Sequence, residues 1–401
     1  TVSAYAMERA QRLRQLLLLH CGATCFQVKH LLGQGGFGRV MAVTRADSTE
    51  PYAMKVILKR ASASASTSSK IVAQAQVERR LLAHISHPYI VELHCAFQTA
   101  EKLLLVMQLC PGGDLKAHIS RLGAFKPELA AHVTAETLLA LEYLHSRRII
   151  HRDLKLENVL VDREGHIRLT DFNVAKLLDE RRTYSMKGTL FCMAPEVILK
   201  QGHDAAADFW SLGVLVYEML TGVPPFYSSD KVELKRMILG MEPYRTQLQL
   251  PHDMPSACRV LLSQLLMRDP RGRLGARPQD SDILRAHPFF GRNFDWEALL
   301  AKKIPSPLKE SAVAYMAAKE AKQQQRGHRP QPTAELDLAP TSLSAQPSML
   351  VQGWDYVSSR PASPGVSPTV SGADVGGEAA GGGAPTAQSE PPSSQPPPPS
   401  P

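Results

Sequence analysis

The sequence predicts an α+β fold in two lobes, a small antiparallel β lobe carrying one main helix and a larger α-rich lobe. Three observations predict it. Residues 26–107 read as short β-branched runs broken by glycine and turn signals, with one helical stretch among them. From Asp114 to residue 290 the pattern changes to 3.6-residue periodicity and helix caps. Thirdly, a compact polar set, His151-Arg152-Asp153-Leu154-Lys155-Leu156-Glu157-Asn158 and then Asp171-Phe172-Asn173, flanks two β-branched runs. Those runs, Val159-Leu160-Val161 and Ile167-Arg168-Leu169, are joined by the turn signal Asp162-Arg163-Glu164-Gly165. An acid, a lysine, an amide and a second acid are thereby expected at the ends of a small buried hairpin.

Bulk properties bound the alternatives. The chain has 401 residues, 44% hydrophobic and 21% charged, enough for two lobes with residues to spare. No run of about eighteen apolar residues exists, so no spanning helix is expected. Leu16 to Leu19 is too short for one, lies in an Arg-rich stretch and lacks a small-residue cleavage site, which argues against a signal peptide. The chain opens on Thr1, so an incomplete N-terminus is expected. Six cysteines are scattered, and no second pair joins Cys21 and Cys25 to complete a zinc site. Reduced thiols in a cytoplasmic protein, present also in the nucleus, are the expectation. The formal charge of +8 comes without an aromatic-interleaved basic motif, so a solvated basic surface is expected and nucleic acid is not.

Taken in order, residues 1–25 read as an N-terminal helical extension, packing on the body or lying on a membrane surface. Residues 26–32 alternate like a strand and run into Gly33-Gln34-Gly35-Gly36-Phe37-Gly38-Arg39-Val40. A dinucleotide fingerprint would open a helix. Here the glycines join two strands, which favours a loop covering phosphates, where backbone N–H groups approach without a side chain between. The next strand, Tyr52-Ala53-Met54-Lys55-Val56-Ile57, holds a lone cation among apolar neighbours. Residues 61–69 are low-complexity and polar, a loop. A helix from 72 to 85 carries Glu78, and His87-Pro88 follows its end. Strands over 89–97 and 103–107 complete a five-stranded small lobe, and 107–114 connects the lobes. Helices are expected over 115–121, 126–147, 206–222, 231–241, 255–267 and 280–286.

These motifs together resemble the eukaryotic protein kinases over residues 26–290, with a small lobe at 26–107 and a large lobe at 114–290. The resemblance implies the bilobal kinase fold and binding of ATP and Mg²⁺. It makes Asp153 the base that orients a substrate hydroxyl, and Lys155 the cation beside the transferring phosphoryl group. Lys55, paired with Glu78, would hold the α- and β-phosphates. Gly33, Gly35 and Gly38 would cover them, with Val40 on the adenine. Met107 would limit the pocket, Leu109 belongs to the connection that reads adenine, and Asp114 would reach the ribose. Asn158 and Asp171 would ligate Mg²⁺, a hard cation suited to few oxygen ligands. Lysine at 155 resembles serine/threonine kinases.

The usual Asp-Phe-Gly reads Asp171-Phe172-Asn173 here, as in the similar YANK subfamily. Asparagine tolerates left-handed dihedrals better than most residues, so chemistry should survive, with the flip to an inactive conformer made harder. Arg182-Thr183-Tyr184-Ser185-Met186-Lys187-Gly188-Thr189 resembles the AGC group, cyclic-AMP-dependent kinase and its relatives. That likeness implies activation by an upstream kinase at Ser185, whose phosphate would pair with Arg152. It also implies Thr189 bonded to Asp153 and Lys155, a Glu196–Arg273 ion pair, and Asp208 as a backbone anchor. Leu190-Phe191-Cys192 lacks the usual Pro-Glu, which leaves the peptide shelf open. Glu157 and Glu218, with help from Asp114, match acids that bind basic residues upstream of the target hydroxyl.

Residues 291–359 resemble the AGC C-terminal extension. Val351-Gln352-Gly353-Trp354-Asp355-Tyr356-Val357 resembles the hydrophobic motif of ribosomal protein kinases, with Asp355 in the phosphosite's place. Trp354 and Tyr356 are expected on the small lobe against the helix of Glu78. Residues 360–401, almost free of large apolar side chains, are expected to be disordered. The implied function is a serine/threonine protein kinase acting on proteins with basic residues upstream of the target. The alternatives are a catalytically impaired pseudokinase scaffold and a small-molecule kinase. Retention of Lys55, Glu78, Asp153, Asn158 and Asp171 argues against the first, the full activation segment against the second.

Overall fold

The structure, a computed structural model, describes residues 25–35, 38–59, 65–178, 182–241, 248–277, 280–325 and 351–358. The expected N-terminal helix (apart from residue 25), the loop tip at Gly36 and Phe37, and the tail from residue 360 lie outside them.

The small lobe is one antiparallel sheet of β1 (Phe26–Gly35), β2 (Gly38–Arg45), β3 (Pro51–Leu58), β4 (Leu93–Gln98) and β5 (Lys102–Gln108). The spatial order is β1-β2-β3-β5-β4, and a sixth strand, β10 (Tyr356–Val357), pairs with the outer edge of β4. The expectation of five strands is corrected there. A tail residue pair satisfies backbone groups that an edge strand would otherwise leave open. Side-chain alternation divides the lobe between two cores. In β5, Leu104 and Val106 join Phe26, Met41, Tyr52 and Met54 on one face. Leu103, Leu105 and Met107 face the main core on the other.

Helix α1 (Ala65–His84) begins well before residue 72. The described part of the polar stretch, 65–69, is therefore helix and not loop. Serine and threonine suit a helix start, and Ile71 and Val72 pack against the core, so burial carries the helix where periodicity is weak. The strand expected over 89–97 starts only at Leu93. Tyr89 to Val91 instead stitch to the large lobe, where the Leu169 amide donates to Tyr89 O and the Val91 amide to Leu169 O, both at 2.9 Å.

The large lobe holds α2 (Leu115–Leu122), α3 (Pro127–Ser146), α4 (Pro195–Ile198), α5 (Ala206–Thr221), α6 (Lys231–Leu239), α7 (Ser256–Leu265) and α8 (Asp280–Arg285). Most start where a cap or proline predicts. Asp114 accepts from the Ala117 amide to cap α2, and Pro127 opens α3. α3 and α5 are buried along most of their length. Two small ladders lie beneath the cleft, β6 (Ile149–Ile150) with β9 (Lys176–Leu177), and β7 (Val159–Val161) with β8 (Ile167–Leu169). On α3, buried Glu136 takes hydrogen bonds from both imidazoles of His132 and His166 and from the Ile167 amide, bracing the β7–β8 hairpin. Its oxygens are thereby satisfied.

The extension adds α9 (Trp296–Leu300) and α10 (Lys309–Gln325). The reading of the tail as an extension did not anticipate α10, although its Ala, Lys, Glu and Gln are strong helix formers. It lies beside the inter-lobe connection. Arg121 donates to Ser311 O at 2.6 Å, and the Tyr315 ring stands 2.6 Å from where a Cβ on Gly113 would fall. Gly113, at φ +85°, suits that position on both counts.

Candidate active site

Strand periodicity sets the first residue. Met54 and Val56 turn to the upper core, so Lys55 turns the other way, toward α1. There Glu78 sits one turn from Ala75 and Leu82 on the buried face of the helix, 1% exposed. Lys55 Nζ lies 2.7 and 2.9 Å from the two Glu78 oxygens and 2.9 Å from Asp171 Oδ1. Burial is the largest influence on Lys55 and would lower its pKa. The two carboxylates outweigh it and hold the ammonium above the ordinary lysine range.

The loop after β6 is fixed from beneath. Fully buried Asp208, at the start of α5, accepts the His151 amide at 2.9 Å and the Arg152 amide at 2.8 Å, and His145 Nε2 lies 2.8 Å from it. This is the anchor the sequence implied, and it holds Arg152 at φ +68°. The His151 ring packs edge-on to Phe172, with centroids 5.0 Å apart.

Asp153 is the most heavily bonded acid of the loop. Its Oδ1 accepts from the Thr189 amide at 2.8 Å and from Thr189 Oγ1 at 2.7 Å. Its Oδ2 accepts from Asn158 Nδ2 and faces Lys155 Nζ, each at 2.9 Å. Lys155 also donates to Thr189 Oγ1 at 2.8 Å. Burial would raise the Asp153 pKa. The Thr189 and Lys155 hydrogen bonds and the lysine charge outweigh it and hold the carboxyl below its ordinary value. The result is a carboxylate held in its ionised form.

Asn158 gives Nδ2 to the Asp153 carbonyl and carboxylate, which leaves its amide oxygen to act as a ligand. With the Asp171 carboxylate it makes a hard-oxygen pair fit for Mg²⁺. The left-handed backbone here belongs to Asp171, at φ +65°, while Asn173 lies buried in a short 3₁₀ turn without positive φ. This conformer does not call on the tolerance of asparagine for left-handed dihedrals, and the expectation of a harder flip concerns another conformer.

The described glycines of the β1–β2 turn differ in their surroundings. A Cβ on Gly33 or Gly35 would meet open space, whereas one on Gly38 would fall 2.0 Å from Val56 O. Glycine at 38 is demanded by strand packing, and at 33 and 35 it keeps backbone amides accessible. Val40 faces Lys55 across the β2–β3 register, Met107 faces Ala53 across β3–β5, and Leu109 is half-buried. Asp114 spends one oxygen on the α2 cap, and burial raises its pKa.

The activation segment closes over this site. Arg152 Nη1 donates to Ser185 Oγ at 2.6 Å and Nε to Val174 O at 2.6 Å. Burial draws the guanidinium down to about 10, with Asp208 acting the other way. Arg273 and Glu196 form the expected fork, at 2.7 and 2.9 Å, inside the large lobe.

On the small lobe, Trp354 is 1% exposed and its indole donates to Phe97 O at 2.8 Å. Arg79 of α1 donates to the carbonyls of Trp354 and Asp355, each at 3.0 Å, and lies over the Tyr356 ring. Asp355 stands in the field of Arg79 and Lys59, although burial is the larger influence and raises its pKa.

With this geometry in place, the comparisons are direct. The protein kinase domain family matches residues 26–290. The chain belongs to the protein kinase family. It is 44% identical over 289 residues to the putative ribosomal protein S6 kinase alpha-1 of Caenorhabditis elegans, covering 71% of this chain and 36% of that protein. Against the Homo sapiens ribosomal protein S6 kinase alpha-1 it is 41% identical over 293 residues, 72% of this chain and 38% of that one. The Gallus gallus ribosomal protein S6 kinase 2 alpha gives 41% over 289 residues, 71% and 37%. The chain thus spans little more than a third of the length of these curated relatives. The likeness places the kinase domain with the serine/threonine kinases of AGC type. Protein kinases use ATP and Mg²⁺.

Two parts of the site escaped the sequence. Glu218 is buried and already paired with Lys116 of α2, Nζ to Oε1 2.5 Å, while Glu157 is exposed. No spacing rule links 116 to 218. The Arg79 clamp on the hydrophobic motif was also missed, although Arg79 adjoins the expected Glu78.

Proposed function

We propose that this chain is an ATP- and Mg²⁺-dependent serine/threonine protein kinase, transferring the γ-phosphoryl group to hydroxyls of proteins with basic residues upstream. The observation that carries the reading is Lys55, bonded at once to Glu78 in the small lobe and Asp171 in the large one. A pseudokinase scaffold has no need to hold that bridge beside an ionised Asp153.

Asp153 would orient the incoming hydroxyl and accept its proton, since its carboxylate is held unprotonated. Lys155, bonded to both Asp153 and Thr189, would offset charge developing on the transferred group. Asn158 and Asp171 would hold Mg²⁺, which supplies charge neutralisation on the phosphates. Phosphorylation of Ser185 by an upstream kinase would bring a dianion onto the Arg152 guanidinium, ordering the segment. Trp354, Asp355 and Tyr356 would steady α1, and with it Glu78. A cytoplasmic and nuclear location is part of the proposal. Its support is cysteine usage in the sequence, six scattered residues whose spacing does not read as a disulfide framework.

The test is label transfer from MgATP to a serine peptide with upstream arginines, using protein phosphorylated at Ser185. Transfer is expected, and Asp171→Ala should reduce it by about a thousandfold or more with the fold retained. Failure of the phosphorylated protein both to bind nucleotide with Mg²⁺ and to label any protein would overturn the reading.

A further inference from the structure

The acids expected to read a substrate's basic side chains differ in one respect. Glu157 is exposed at the catalytic loop. Glu218 has only 5% of its side chain exposed, and the Lys116 ammonium lies 2.5 Å from its Oε1. A buried carboxylate without a partner is strongly disfavoured, and here the chain itself supplies the cation.

Lys116 sits where a lysine is otherwise unfavourable. It lies in the first turn of α2, which carries no acid of its own there, and a helix N-terminus repels cations. What holds it is the acids around it. The Glu218 hydrogen bond is the largest influence raising its pKa, with Glu157 and Asp114 adding to it. The lysine itself remains partly open to solvent, with 42% of its side chain exposed. The same acids border the reaction centre. Buried Cys192, raised first by burial, is raised further by Asp153, Glu218 and Glu157 together.

We propose that Lys116 is a built-in occupant of the Glu218 pocket and determines substrate specificity by competing with a basic residue of the substrate. This rests on the protein-kinase reading above. An arginine entering at Glu218 must exchange one cation for another, so most of the ion-pair gain cancels. Glu157 lies in the field of Lys116 and Lys155 but is exposed and forms no ion pair among the described residues, so an arginine meeting it has no bound cation to expel. The kinase should therefore select a single upstream basic residue, read at Glu157, and tolerate a neutral side chain at the position beside Lys116.

The experiment uses one serine peptide with alanine throughout its upstream half, and versions with arginine at each position from five to two before the serine, singly and in pairs. Binding is measured by calorimetry and kcat/KM by label transfer, for the whole chain and for Lys116→Met, which keeps the aliphatic stem. Wild type should gain from arginine at one position and by less than about twofold from a second. In Lys116→Met a second position should become selective, its arginine-to-alanine ratio rising roughly tenfold or more, in KM and affinity and not in kcat. Adding Glu218→Gln to Lys116→Met should abolish that gain. Lys116→Gln serves as a second probe of the same ratio if the methionine variant unfolds. Equal ratios at every position in wild type and the folded variants overturn the proposal while transfer itself upholds the kinase reading. A second arginine-selective position that calorimetry finds in Lys116→Met and not in wild type, without any transfer, upholds the proposal and counts against the kinase reading.

Discussion

Asp153 takes both Thr189 donors on one oxygen and meets Asn158 and Lys155 with the other. Each bond favours the ionised form, and together they outweigh burial. Removing the hydroxyl in Thr189→Val deletes one donor and frees Lys155 from its second anchor. The carboxyl pKa then moves up, toward the value burial alone would set. A base is lost when it protonates, so the acidic limb of the kcat/KM profile should shift to higher pH, while the plateau falls less. A pH series on both proteins at saturating Mg²⁺ checks this, and an unmoved acidic limb would show that Asp153 does not govern it. Asn173 teaches a related lesson. The departure from glycine looked like a demand on backbone conformation, but the positive φ sits two residues earlier, on Asp171.

Among the elements, β10 and the turn before it do the most with the fewest residues. Trp354 is almost wholly buried, its ring N–H is satisfied by Phe97, and its carbonyl holds Arg79. Trp354→Ala should therefore destabilise by about 3–5 kcal/mol, the usual cost of emptying a large aromatic site. Urea unfolding followed beside peptide turnover would show it, and a loss below about 1 kcal/mol would mean that the motif is only loosely seated. Much of this scale was legible beforehand. The strands of the small lobe alternate cleanly, the large-lobe helices carry caps or prolines, and the motif aromatics stand out in a tail poor in them. Other parts were not. Whether 65–71 is helix depends on Ile71 and Val72 finding a core, which composition does not encode. The β10–β4 ladder and the Lys116–Glu218 pair join residues more than a hundred positions apart. Nothing local specifies such a meeting. α10 is the exception, because its Ala, Lys, Glu and Gln content carried a propensity signal that the tail reading passed over.

For the molecule as a whole, the decisive contact crosses the cleft. Lys55 lies on β3 and bonds Glu78 on α1, yet also reaches Asp171 on the far side. Behind Asp171, Phe172 is packed on His151, and the chain around His151 hangs from Asp208. Nucleotide binding is therefore expected to stabilise the folded chain through both lobes, and Mg²⁺ to supply part of that gain through Asp171 and Asn158. At nucleotide a hundredfold above its Kd the gain is about 2.7 kcal/mol, or about 5 °C in Tm for a domain of this size. Asp171→Asn keeps the shape of the side chain and an oxygen for Lys55, but removes the charge that attracts the metal. Its Tm without ligand should stay close to wild type, and its shift with ATP should be the same with Mg²⁺ or with a chelator. Wild type should lose a large part of its shift on chelation. If chelation leaves the wild-type shift intact, the two oxygens do not hold a metal, and the bridge at Lys55 is structural alone.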